Sequence, residues 1–121
     1  MAAIRFDGAL RFVNVSYFEN AILKLERDNP AVDHILVKGS GINEIDASGV
    51  EMLSNLITRF KSNGITLCFS GFKRQTLDVI ERTGLVDKIG SENLFSTDQA
   101  ALEALEPQLR DQTIEPEIVI T

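Results

Sequence analysis

The chain of 121 residues holds one cysteine, one histidine and no tryptophan. A single cysteine closes no internal disulfide, so nothing in the chain marks an oxidising compartment. With only His34 and Cys68 to offer, nitrogen and sulfur ligation of zinc is not supported. No run of about 18 apolar residues is present to span a bilayer. The opening Met1-Ala-Ala-Ile-Arg-Phe-Asp meets charge too early for a signal peptide, and none is expected. Positive charge is also scarce: 12 Lys+Arg stand against 18 Asp+Glu, a net charge of −6. That balance disfavours nucleic acid, where clustered cations gain from counterion release, and an anionic membrane surface. A neutral or basic protein partner suits it better.

Several chemical motifs are missing. Gly39-Ser40-Gly41 follows an apolar run and precedes a helical pattern, yet the dinucleotide fingerprint G-x-G-x-x-G would need glycine where Glu44 stands. No phosphate-cradling G-x-x-x-x-G-K-[ST] occurs. Ser48 lacks the G-x-S-x-G of a nucleophile elbow, because Asp46 occupies the first glycine position. His34 opens a strand at its amino end, whereas the Ser48 segment leaves the carboxyl end, so no serine triad is expected. Cys68, between Leu67 and Phe69, reads as a small buried hydrophobe. Catalytic residues, cofactors and metals are therefore all expected to be absent.

What remains is an ordinary globular composition, 44% hydrophobic and 25% charged, which points to a single domain. Asp7-Gly8 between "AIRF" and "ALRFVN" predicts an opening two-stranded hairpin. "SYFENAILKLERDNP" predicts a helix with Phe18, Ile22 and Leu25 inward and a capping box of Ser16 with Glu19. "HILVKG" and "ITLCFS" read as buried strands. Between them a loop gives way to a helix with Val50, Leu53, Leu56, Ile57 and Phe60 on one face, stopped at Asn63-Gly64. "KRQTLDVIERTG" is a helix with Leu77 and Ile80 inward, and "LVDKIG" reads as a very short strand. "STDQAALEALEPQL" closes the series as a helix with Ser96 and Gln99 as a second capping box. The order implies α/β class: a four- to five-stranded mixed sheet, an N-terminal hairpin and about four helices. Residues 1–106 form the domain and 107–121 a tail, left free or docked through "EIVIT" as an edge strand.

The segment "GSGINEIDASGVEML" carries the functional interest, since loops at strand carboxyl ends are the usual site of function in such sheets. Ser48 fits S-x-x-E as a helix cap with Glu51, and Asp46 fits the role equally well. If Asp46 is the cap, Ser48 stands free on the first turn. Both assignments stay open on spacing.

Residues from Ile4 to about Leu105 resemble a STAS domain, the family named for sulfate transporters and anti-sigma-factor antagonists. The resemblance rests on D-x-[ST]-G as Asp46-Ala47-Ser48-Gly49, on "TGLVDKIG", and on Phe95-Ser96-Thr97 before the last helix. The opening "IRFDGALRFVNVSYFENAI" is similar to the cytoplasmic domain of SulP-type anion transporters. The resemblance implies a non-catalytic regulatory domain whose partner is the transporter's membrane domain, at the cytoplasmic face of the inner membrane. In the alternative branch, a free-standing anti-sigma-factor antagonist, the partner is an anti-sigma factor that doubles as a serine kinase, and the phospho-acceptor falls on Ser48. In both branches the expected signature and interaction loop contains Gly39, Gly41, Ile42, Asn43, Asp46 and Gly49, with Ile42 offered to a partner more readily than Ile45.

Overall fold

Alternation along the first strand, β1 (Ala2–Leu10), puts Ala2, Ile4 and Phe6 on one face and Ala3 on the other. The structure is a computed structural model and describes residues 2–105 and 117–119. After β1 come α1 (Val15–Asp28), β2 (His34–Lys38), a 3-10 turn (Gly39–Gly41), β3 (Ile42–Ile45), α2 (Ala47–Ser62) and β4 (Thr66–Ser70). Then follow α3 (Arg74–Arg82), α4 (Leu85–Ile89), a second 3-10 turn (Ser91–Asn93), β5 (Leu94–Phe95), α5 (Asp98–Leu105) and β6 (Glu117–Val119). The class is α/β, as expected, but the strands are all parallel where a mixed sheet was predicted. Their order is β3-β1-β2-β4-β5, with β6 pairing β1.

The predicted hairpin is replaced by one long strand. Asp7-Gly8 lies inside β1, and the Arg5 guanidinium donates to Asp7 two residues on, 2.8 Å away on the same side of the extended chain. Parallel pairing carries β1 straight through the turn-forming dipeptide: β2 takes its first half and β3 its last. Ala2 faces Ile35 and Leu10 faces Ile45, so β2 and β3 together spend two residues more than β1 over that length. The excess is absorbed at the Gly39–Gly41 turn and at Gly8, whose φ of 143° marks the register shift. Local turn propensity yields here to long-range strand pairing.

Other expectations shift for equally local reasons. "LVDKIG" is the helical turn α4, since Leu85 and Ile89, four apart, are both buried and Gly84 (φ 80°) and Gly90 (φ 87°) bracket it. The short strand comes later, at β5. The count of helices among the described residues is thus five. Ser16 lies inside α1 and makes no cap; the chain turns earlier, where Asn14 Oδ1 accepts from the Arg11 N–H at 2.9 Å. At α5 the cap is Thr97, whose Oγ1 accepts from the Ala100 N–H at 3.0 Å, in place of Ser96. Leu77 is only half-buried, and Thr76 takes the inward position beside Ile80. The domain boundary near residue 106 lies outside the described residues. Of the tail, only Glu117–Val119 is described, as β6 beside β1.

The sheet divides the core unequally. On one face Ile4, Phe6, Ile35, Val37, Leu67 and Phe69 pack with the apolar stripes of α1 to α4. On the other, Ala3, Leu36 and Cys68 meet Ala101 and Leu105 of α5. Burying one large side chain stabilises by about 1.5–3 kcal/mol, so the first face dominates cohesion and fixes where β1, β3 and α2 converge.

Candidate functional site at the start of the second long helix

That convergence is built around Asp46. Its own N–H donates to the carbonyl of Leu10 at 3.0 Å, tying the start of α2 to the end of β1. One carboxylate oxygen accepts from the Gly49 N–H at 2.9 Å, and the other from the Phe12 N–H at 3.0 Å. These amide bonds, Gly49 first, together with the nearby Arg11 guanidinium, hold the Asp46 carboxyl below the usual carboxylate range. Asp46 is therefore the cap of α2, and one side chain serves the helix start and the β1–α1 loop together.

The glycine three residues on has a different reason. A Cβ at Gly49 would stand 2.6 Å from the Leu10 carbonyl oxygen and 2.8 Å from Ile45 Cγ1. Only glycine lets the first turn of α2 sit this close to β1. Gly41 is constrained likewise, with Asp7 Oδ1 where its Cβ would go, and Gly39 with the Phe72 ring. Asp46-Ala47-Ser48-Gly49 thus reads as cap, two outward residues and a close-approach glycine. Ser48 is partly exposed, and its hydroxyl has no hydrogen-bond partner among the described residues. Of the two capping assignments, the structure selects the one that leaves Ser48 free.

Of the expected interaction loop, Asn43 is exposed, Asp46 and Gly41 are partly exposed, and Gly39 and Gly49 are buried. Ile42 corrects an expectation. It is fully buried, and its carbonyl accepts from Thr76 Oγ1 at 3.1 Å. The segment expected as a loop pairs with β1 as β3, and the one-residue register shift between Ile42 and Glu44 lets Ile42 and Ile45, three apart, both enter the core. The exposed apolar side chains at this corner are instead Phe12, Val13 and Tyr17, 79%, 86% and 56% exposed. A reading of "RFVN" as the second hairpin strand hid Phe12 and Val13, whereas Tyr17 lay in the predicted helix outside its Phe18-Ile22-Leu25 stripe, which was the available signal.

His34 and Cys68 do not join Ser48. His34 sits at the amino end of β2 with its Nδ1 3.0 Å from Asp33, at the opposite end of the parallel strands. Cys68 is buried within β4, and desolvation pushes its thiol up to about 11, away from nucleophilic use. An open cleft of about 690 Å³ at the carboxyl end is lined by Arg5, Asp7, Arg11, Asn43, Glu44 and Lys73, among others. Ion pairs Arg5–Asp7 and Arg11–Glu44 run along its wall. No group of three or more metal-ligating side chains occurs among the described residues, and none of their helices is long and apolar enough to cross a membrane.

The STAS domain model matches residues 1–101. Among curated proteins, a probable sulfate transporter, 4.2, of Arabidopsis thaliana is 32% identical over 102 residues, covering 76% of this chain and 15% of its own length. The chain thus spans a small part of that relative. Among solved structures, a SulP transporter STAS domain from Vibrio cholerae superposes with a TM-score of 0.69 at 20% identity, over 92% of this chain and 85% of that one. The anti-sigma factor antagonist SpoIIAA in its unphosphorylated form gives a TM-score of 0.69 at 16% identity, over 88% and 90%. At these identities the two structures speak for the fold alone.

Proposed function

The chain belongs to the STAS domain family, and from that premise we propose that it is the non-catalytic regulatory and protein-interaction domain of a SulP-type sulfate or anion transporter. Its working place is the cytoplasmic face of the inner membrane, beside a membrane domain that is not in this chain. The observation that carries the reading is the Asp46 corner: a locked helix start that presents an unpartnered hydroxyl and leaves apolar side chains in water. Such a corner is suited to being read by another protein and lacks the groups for chemistry of its own.

A second reading has its own support, in the likeness to an anti-sigma factor antagonist and in the freedom of Ser48. There the chain is a free-standing antagonist, with Ser48 phosphorylated by a partner kinase. A phosphate adds about −1.5 to −2 charges at pH 7. The amides opening α2 tolerate an anion, by about 0.3–1 kcal/mol at exposed sites, so the fold survives. The surface changes more. Asp46, Glu44 and Glu51 are already negative, and a dianion at Ser48 must be desolvated when a partner covers it. Desolvation of a charge costs several kcal/mol, against about 0–1 kcal/mol for an exposed charge pair at an interface rim. In this reading phosphorylation therefore weakens binding.

The test uses the gene that encodes the chain and two variants. Apolar spans of about 20 residues in the same open reading frame support the transporter, and a frame without them supports the antagonist. Partner capture should fall for Ser48→Asp and persist for Ser48→Ala, with melting temperatures nearly matched. Equal capture by both variants and the wild type removes Ser48 from the mechanism.

A further inference from the structure

The long first strand is only partly covered by β3, which pairs with Gly8 to Leu10 and no further back. β3 cannot extend towards the start of β1, because the residues before Ile42 are the Gly39–Gly41 turn arriving from β2. β2 pairs with Ala2 to Arg5, and β6 pairs with Arg5 to Asp7. Arg5 therefore has a strand neighbour on each edge. This puts β6 on the edge that β3 occupies, end to end with it. Phe6, in the middle of that stretch, is fully buried. Left without β6, its edge would be a row of unpaired backbone groups inside the domain, a template for another strand.

The occupant comes from the far end of the chain. Glu117, Ile118 and Val119 stand in parallel register with Arg5, Phe6 and Asp7. Their ladder is three residues long, and among the described residues β1 is the one strand beside them. So short a ladder belongs to the low-stability end of a fold, where local opening occurs. Eleven residues, 106–116, separate β6 from the end of α5 at Leu105. Eleven extended residues can reach about 36–40 Å, more than the roughly 30 Å diameter of a small domain.

We infer that the Arg5–Asp7 edge of β1 is a strand-docking site whose ligand is the Glu117–Val119 segment of a second copy, taken in reciprocal exchange for the chain's own β6. The complement selects this occupant. Every copy carries both the site and the sequence that fits it, in a register that sets Glu117 beside Arg5. Exchange between two copies rebuilds each pairing of the closed form, and two sites facing two strands close through a two-fold axis. A strand from another protein would have to match the same register without that guarantee.

The probe is a fluorescent peptide of the last seven residues, EPEIVIT, with a control peptide carrying Ile118→Pro/Val119→Pro. Neighbouring residues of a strand aim their N–H groups at opposite edges, so one of the two prolines must remove a donor that faces β1. The same double substitution in the full chain should clear the site. That variant should bind the peptide about tenfold or more tightly than the wild type, whose own strand competes, and should ignore the control. Light scattering should show the wild type passing from monomer to dimer as its concentration rises. Excess peptide should return it to monomer, and the variant should stay monomeric. The competition on the wild type needs no variant, so it decides the matter even if the prolines unfold the chain. A wild type that is monomeric at every concentration overturns the exchange, and so does a dimer indifferent to the peptide. Peptide binding without any dimer limits the site to the tail of its own chain and overturns the second copy as occupant. None of these readouts involves Ser48 or a transporter, so their failure leaves the test of the proposed function intact.

Discussion

Two apolar groups flank the Asp46 corner and meet opposite fates. Ile42 and Ile45 lie on the strand side, pair through β3 with β1, and are buried. Phe12 and Val13 lie on the loop side, where Arg11–Asn14 closes on itself and leaves their side chains in water. Hydrophobicity does not separate the two groups. Backbone pairing does: β3, shifted by one residue against β1, lays both isoleucines against the core, whereas a turn whose hydrogen bonds are internal imposes no such burial. The strand side supplies rigidity and the loop side supplies surface.

Substitutions at four positions break or sharpen that contrast, from the largest expected effect to the smallest. Ile42→Asp buries a charge with no partner and should cost about 4 kcal/mol or more; a cooperative urea transition at the wild-type midpoint would refute the strand-side assignment. Gly49→Ala forces a Cβ to within 2.6 Å of the Leu10 carbonyl oxygen, an overpacking that should cost about 1–3 kcal/mol by the same denaturation measurement.

Asp46→Ala removes the cap of α2 and the anchor of Phe12 together, and should cost about 1–2 kcal/mol. The Asp46 carboxyl is depressed in the folded state. Its stabilisation is therefore fully present above the unfolded value of about 3.9 and is lost as pH falls through the lower folded value. Asp46→Asn should flatten the acid limb of the stability profile below about pH 4; an unchanged limb would assign the acid sensitivity to other carboxylates.

Phe12→Ser, on the loop side, should shift stability by no more than about 0.5 kcal/mol, as exposed positions do. A loss of several kcal/mol would show that Phe12 packs within the domain and offers no surface.

Part of this organisation was readable residue by residue. The compact apolar run "HILVKG" bounded by glycine and the run "ITLCFS" predicted β2 and β4, and the helix from Ala47 to Ser62 was legible because it is long enough for its apolar face to repeat. The α/β class and the position of Ser48 where the chain enters α2 followed from their order. Asp7-Gly8 misled because turn propensity is local, while the pairing that overrode it joins residues more than thirty positions apart. α4 misled because five residues carry too little periodicity to tell a strand from a helical turn. The capping choice between Asp46 and Ser48 was undecidable from spacing, since both offer an oxygen at the right distance along the chain.

The amino-acid order by itself determined the elements whose information is local: the amphipathic helices, the buried central strands, the acidic balance and the D-x-S-G signature that marks the family. Tertiary structure alone decided which side of β1 its neighbours took, which isoleucines went inside, why position 49 must be glycine and which apolar side chains stayed in water. The reason is common to all four. Each depends on an atom from a distant part of the chain, such as the Leu10 carbonyl against Gly49 or the Asp46 carboxylate against Phe12, and no window of neighbouring residues contains both partners.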